Sequence, residues 1–135
     1  MLLTIVIKNK MYDLAVVDVY SGAAFLWAEW SVVFLKELRK PCILVLRGGG
    51  LAEFAQKNPH RVKRLLQSAQ QVITPSLFLQ QALCKHRSDI QYLPNGLDLS
   101  NYPYLQQRHM QPKLIWLRAL HKIYHPELAV QVLAM

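Results

Sequence analysis

Arg118 and Lys122 are the residues whose types and spacing best suit chemistry on a phosphate. Both follow the apolar segment Lys113-Leu114-Ile115-Trp116-Leu117, and a strand there would deliver them at its carboxyl end. A cation pair can hold a diphosphate, the guanidinium bridging two oxygens at once. The competing reading is a solvated basic loop. Arg47-Gly48-Gly49-Gly50 follows a second apolar run, Cys42 to Leu46, in the same way. Glycines after a strand let backbone N–H groups approach a phosphate or a sugar, although a flexible turn would look the same. The run is not a dinucleotide fingerprint, because Glu53 stands where a third spaced glycine is needed, and no Gly-Lys-Ser/Thr of a P-loop follows. Pro94-Asn95-Gly96-Leu97-Asp98 reads as a turn of type I or I′ closing a strand, a pattern that by itself is mostly turn chemistry.

Other chemistries find little support. His121 and His125 are four apart, but no third ligand accompanies them and Pro126 opens a helix there, so a metal site is not expected. Cys42 and Cys84 match no disulfide framework or metal spacing and read as small core residues. No Gly-x-Ser-x-Gly elbow is present, which leaves a hydrolase triad unsupported. His60-Arg61-Val62-Lys63-Arg64 reads as the solvated face of a helix, with no nucleic-acid module beside it.

The elements that must position these residues alternate between strand and helix. Leu14 to Val19 is a β-branched run expected to be a strand covered on both faces. Ser21 is a candidate N-cap for a helix from Ala23 to Arg39, with Phe25, Leu26, Trp30, Val33, Phe34 and Leu38 on its apolar face and Trp27 off it. Lys36, Arg39 and Lys40 suit the end of that helix, and Pro41 stops it. Cys42 to Leu46 is the second strand, followed by short helices over Leu51 to Gln56 and Pro59 to Ala69. Gln71 to Thr74, Ile90 to Leu93 and Lys113 to Leu117 complete five strands, with helices at Leu77 to His86 and from Pro126 onward. Leu2 to Lys8 suits a strand or the tail of a helix equally. This alternation calls for an α/β fold, a parallel Rossmann-like sheet with crossover helices. With 135 residues, 53% of them hydrophobic and a net charge of +8, the chain is ordered and basic. The charge suggests an anionic partner, whether nucleic acid, membrane headgroups or a phosphorylated substrate. No signal peptide or spanning segment stands out.

Taken in order, five segments resemble the nucleotide-sugar-dependent glycosyltransferases of the GT-B fold, specifically the retaining family 4. They are Tyr12-Asp13-Leu14-Ala15-Val16-Val17, Leu46-Arg47-Gly48-Gly49, Val72-Ile73-Thr74-Pro75-Ser76, Leu93-Pro94-Asn95-Gly96-Leu97-Asp98 and Leu114-Ile115-Trp116-Leu117-Arg118. The resemblance implies an incomplete GT-B arrangement: residues 1–96 as part of the N-terminal, acceptor-side domain, 97–112 as the interdomain linker, and 113–135 as the first strand and helix of the C-terminal, donor-side domain. It implies Arg118, with Lys122, as the catalytic cations on the donor diphosphate, Lys122 standing one residue short of the common spacing. It also implies Arg47, Gly48, Gly49, Asn95 and Gly96 as donor- or acceptor-binding residues. The family often has His-Gly where this chain has Arg47-Gly48, and its Gly before the Arg is Leu117 here. The family's Gly-rich loop and paired-Glu segment have no counterpart in the 135 residues.

The expected activity is therefore hexosyl transfer from a nucleotide-sugar to an acceptor that is a glycan, a lipid or a small molecule, with no metal and no other cofactor. As a fragment, the chain is expected to be inactive and marginally stable on its own. Its expected location is cytoplasmic, extending to peripheral contact with a membrane, and nucleic acid is not among its expected partners. The alternative is a non-catalytic, degenerate or truncated Rossmann-like binding domain.

Overall fold

A computed structural model describes residues 2–102 and 113–134, which fall into two compact units, Met1–Gly96 and Leu97–Met135. Most of the segment read as a linker, from 103 to 112, lies outside the described residues.

The first unit is built on four parallel strands, β1 (Ala15–Val19), β2 (Cys42–Leu46), β3 (Gln71–Thr74) and β4 (Gln91–Tyr92), in the order β1-β2-β3-β4. Helix α1 (Leu2–Ile7) precedes the sheet. The crossovers are α2 (Ala24–Glu37), then α3 (Gly50–Lys57) with α4 (Pro59–Ser68), then α5 (Leu77–Leu83). The crossovers step in one direction along the sheet, and their helices share one core against one face of it. The core has the composition this predicts. Val17, Val19, Cys42, Leu44, Leu46 and Val72 come from one face of the strands, and they pack with Phe25, Val32 and Leu35 of α2, Val62 and Leu66 of α4, and Leu79 and Leu83 of α5. The opposite face carries Val16, Asp18, Ile43, Val45 and Ile73 in register, none of which belongs to that cluster.

Four sequence expectations for this unit change, the simplest being Cys84, read as a core residue but exposed just past α5. The first strand is not covered on both faces: as an edge strand it alternates, with Val16 64% exposed and Val19 buried. Helix α2 turns a different side to the sheet from the one its apolar residues suggested. It buries Phe25, Ala28, Ser31, Val32 and Leu35 and leaves Leu26, Trp30 and Val33 about half exposed, along with Trp27. The helix is apolar nearly all round, so periodicity could not single out a face, and small Ala28 and Ser31 allow closer approach to the strands. Ser21 does not cap it, since α2 begins after Ala23 with no side-chain cap.

The far end of α2 is closed by backbone bonds. Lys40 N–H donates to Leu35 C=O at 2.8 Å and Arg39 N–H to Lys36 C=O at 2.9 Å, a Schellman pattern with Arg39 in the left-handed region at φ 54°. Lys40 then ties the helix end to the segment before β1 through its Nζ, 2.6 Å from Tyr12 C=O. Helix α4 starts on Pro59 as expected, and Ser76 caps α5, its Oγ accepting from Leu79 N–H at 3.3 Å.

In the second unit the described residues form two 3-10 turns, Leu99–Asn101 and Lys122–Tyr124, and α6 (Pro126–Leu133). The fifth strand expected over Lys113 to Leu117 is not formed: the segment carries no strand pairing. An extended run becomes a strand only against a neighbour that completes its ladder, and no other strand lies among the described residues of this unit. Ile115 and Leu117 are 80% and 90% exposed, and α6 buries no side chain.

Candidate functional site

Four loops leave the carboxyl ends of the strands, where ligands gather in open parallel sheets. They are Tyr20-Ser21-Gly22, Arg47-Gly48-Gly49, Pro75-Ser76 and Leu93-Pro94-Asn95-Gly96. The first two are joined. Arg47 N–H donates to Val19 C=O at 2.9 Å, extending the ladder by one bond. Gly48 then turns at φ +80°, and Gly50 brings the start of α3 so near the first loop that a Cβ there would lie 3.1 Å from Ser21 Oγ. Ser21, expected as a helix cap, instead lies against this glycine. The second and third loops are linked by Thr74, whose buried Oγ1 donates to Leu46 C=O at 3.2 Å and accepts from Ser76 N–H at 3.2 Å.

Arg47 is engaged rather than free. Its Nε donates to Asp18 Oδ1 at 2.7 Å, and this hydrogen bond holds the guanidinium pKa above its ordinary value. Asp18 and Val45 are register partners, so Arg47, two residues beyond Val45, stands on the side of the sheet opposite the core. As a permanent cation it can bind an anionic group but cannot take a proton from an acceptor hydroxyl. Asp18 is the site residue that the motifs did not reveal. The available signal was a carboxylate inside an otherwise apolar strand, which already argued against two covered faces.

Asn95 and Gly96 lie after β4 and are exposed. Neither has a positive φ, so the segment is not a type I′ turn, which requires two such residues. Parallel β4 continues past its last ladder bond, Leu93 N–H to Thr74 C=O at 2.9 Å, instead of folding back into a hairpin. Asp98 stops the run: its carboxylate accepts from Ser100 N–H at 3.0 Å, Ser100 Oγ at 2.6 Å and Asn101 Nδ2 at 2.9 Å, and these bonds, the Ser100 hydroxyl's foremost, hold its pKa low. Gly48 is thus brought beside Tyr20 and Gly50 beside Ser21, with Gly49 between them facing open space, while Asn95 and Gly96 occupy the loop after β4.

Arg118 and Lys122 belong to the second unit. Both are exposed, and the Arg118 guanidinium carbon lies 5.4 Å from the centre of the Tyr124 ring. Lys122 opens the 3-10 turn that carries Tyr124. Stacking on an aromatic face orients a guanidinium while leaving its edge N–H groups available to an anion. Among the described residues no group of three or more His, Cys, Asp or Glu is arranged to hold a metal ion. No helix among them is long and apolar enough to cross a membrane. No family model matches the chain, and neither a curated protein nor a solved structure matches it.

Proposed function

We propose that this chain belongs to a nucleotide-sugar-dependent glycosyltransferase of the retaining GT-B type, contributing acceptor-side strands and loops together with the cations that take up the donor diphosphate. The observation that carries the reading is the Arg118 guanidinium laid against Tyr124, with Lys122 on the same turn of chain. The Gly48–Gly49 loop at the carboxyl ends of β1 and β2 supports it from the first unit. In the proposed reaction the bond between the anomeric carbon and the phosphate oxygen breaks. The electron pair leaves with the nucleoside diphosphate, and an acceptor oxygen bonds to the sugar as it loses its proton. Positive charge at the departing phosphate stabilises that transition state, a contribution on the order of 10²-fold or more in rate for a well-placed donor.

Nucleoside diphosphates titrated into the chain and followed by calorimetry test the reading. Binding is expected to weaken by about tenfold or more in Arg118→Ala, as befits the loss of a charge-assisted bridge to phosphate. Lys122→Ala is expected to act more weakly. Affinity unchanged in Arg118→Ala would remove the assigned role. A second reading, a binding domain without catalysis, is favoured by one contact: Arg47 is paired with Asp18 at a position where a proton-accepting group would suit transfer. Transfer from, or hydrolysis of, a nucleotide-sugar separates the two.

A further inference from the structure

We infer that the outer face of α2, together with α1 and the adjoining edge of α4, docks onto an anionic membrane surface. The argument starts from side chains that folding leaves in water. Leu26, Trp27, Trp30 and Val33 of α2 are 46%, 56%, 54% and 49% exposed, and Leu3 and Ile7 of α1 are 71% and 70% exposed. Single exposed apolar residues are ordinary, but Leu26, Trp27 and Trp30 line one groove together with Leu2 of α1, and a contiguous set containing two indoles marks a contact surface. Trp30 and Leu26 form a ridge between two grooves. One, of about 510 Å³, is lined by Leu2, Ala23, Trp27 and Phe34; the other, of about 380 Å³, by Val33, Leu65, Lys36 and Arg64.

Charge decides the occupant. Glu29, in the second groove, is neutralised by Arg61, whose Nε lies 2.7 Å from its Oε1. Among the described residues Lys36 and Arg64 carry no ion pair, and Lys8 and Lys10 stand exposed just past α1. Glu37 sits in the last turn of α2, at the end of the ridge. The surface is therefore apolar at its centre and basic at its margins, on a chain of net charge +8. A second copy meeting this face about a two-fold axis would set like cations against one another. A nucleic acid would leave the indoles and Leu26 without apolar cover. An anionic bilayer satisfies both features: Trp and Leu enter the boundary between headgroups and acyl chains, and Lys and Arg meet the phosphates. Helix α2, 14 residues and so about 21 Å long, would lie flat in the surface rather than cross it. The inference does not rest on the proposed transferase chemistry.

The test is sedimentation of the full chain with vesicles of phosphatidylcholine containing 30% phosphatidylglycerol, against phosphatidylcholine alone. Binding is expected to the anionic vesicles and to fall with added salt. Lys36→Gln and Arg64→Gln should each weaken it by about fivefold. The pair Trp27→Ala and Trp30→Ala should weaken it by about tenfold or more with the far-ultraviolet dichroism unchanged, since neither ring is buried. A Trp116→Phe variant leaves Trp27 and Trp30 as the remaining indoles, and brominated acyl chains should quench their fluorescence. Equal binding to both vesicle types, full binding by the double Trp variant, or no quenching would overturn the inference. So would a wild-type dimer that the Trp variant disrupts, because the face would then belong to a second copy.

Discussion

Arg87→Ala is expected to destabilise the first unit by about 3 kcal/mol, far more than a surface arginine normally does. The Arg87 side chain is 12% exposed and reaches from the end of α5 to the junction of α4 and β3. Its Nη1 donates to Leu66 C=O at 2.6 Å and to Ala69 C=O at 2.7 Å, and its Nη2 to Gln70 C=O at 3.1 Å. These are carbonyls at the end of a helix, where intrahelical donors run out. Leu66 and Ala69 are buried, so stranding each carbonyl costs about 1–3 kcal/mol, whereas Gln70 is exposed and can rehydrate. Water entering the vacated space recovers part of the sum, which brings the total to about 3 kcal/mol. The partner Asp89 is 67% exposed, and an ion pair of that kind is worth about 0–1 kcal/mol. Against a typical domain stability of about 5–15 kcal/mol this is a large fraction, and with a urea slope near ~1.5 kcal/mol/M it shifts the midpoint by about 2 M. Urea titration followed by circular dichroism compares Arg87→Ala, Arg87→Lys and Asp89→Ala. Arg87→Lys should recover less than half, because one ammonium cannot reproduce the fork. A loss below about 1 kcal/mol in Arg87→Ala, or an equal loss in Asp89→Ala, would show that the carbonyl clamp is not what holds this junction.

Two further outcomes are expected. Arg39→Gly should stabilise by about 0.5–1 kcal/mol, raising Tm by a few degrees in calorimetry, because a left-handed residue is strained unless it is glycine and the glycine's extra unfolded-state entropy offsets only part of the gain; a lower Tm would refute it. His86 is 6% exposed and its pKa lies below the ordinary value of 6.5, through burial first and then Lys85 and Lys63. The unfolded chain therefore takes up a proton before the folded one does, so stability should be full above pH 6.5 and decline as pH falls from there through the lower folded pKa. Urea midpoints at pH 7.5 and 5.5 measure this slope, and His86→Gln should flatten it. The exposed carboxylates Glu53, Asp89 and Asp98, whose folded pKa values are lowered by hydrogen bonds, lose their contribution only at more acid pH, below ordinary values of 4.5, 3.8 and 3.8.

The first sheet was legible where local signals agreed. Cys42 to Leu46 and Gln71 to Thr74 match their strands residue for residue, each short and β-branched or apolar, and the first set off by Pro41 and Arg47-Gly48. Pro59 at a first turn and Ser76 at a cap are chemical constraints that hold in any surroundings. What could not be read depended on partners elsewhere in the fold. Whether Lys113 to Leu117 is a strand depends on a neighbouring edge, and the segment itself says nothing about one. The inward side of α2 depended on which residues let the helix approach β1 and β2, and Ala28 and Ser31 settled that against the larger Leu26 and Trp30. The side chains thereby left outside are the ones that now carry the membrane inference.

The three glycines after β2 look equivalent in sequence, yet the fold gives them unequal reasons to be glycine. Gly48 has a positive φ of +80°, which any side chain would strain. Gly50 faces Ser21 so closely that a Cβ at 3.1 Å from Oγ would push the first loop aside. Both are accounted for by the backbone path that joins β2 to α3, with or without a ligand. Gly49 is different: its φ of −59° and ψ of −29° are helical, and a Cβ there would meet nothing within 4 Å. An alanine would fit that position and would lower the entropy lost on folding. Folding therefore supplies no reason for glycine at 49, and the open space in front of it is where a phosphate or sugar could approach the backbone at the start of α3. The Gly-rich motif thus divides into two glycines the chain needs for its own turn and one, Gly49, that the turn does not require, and it is Gly49 that bears on the proposed function.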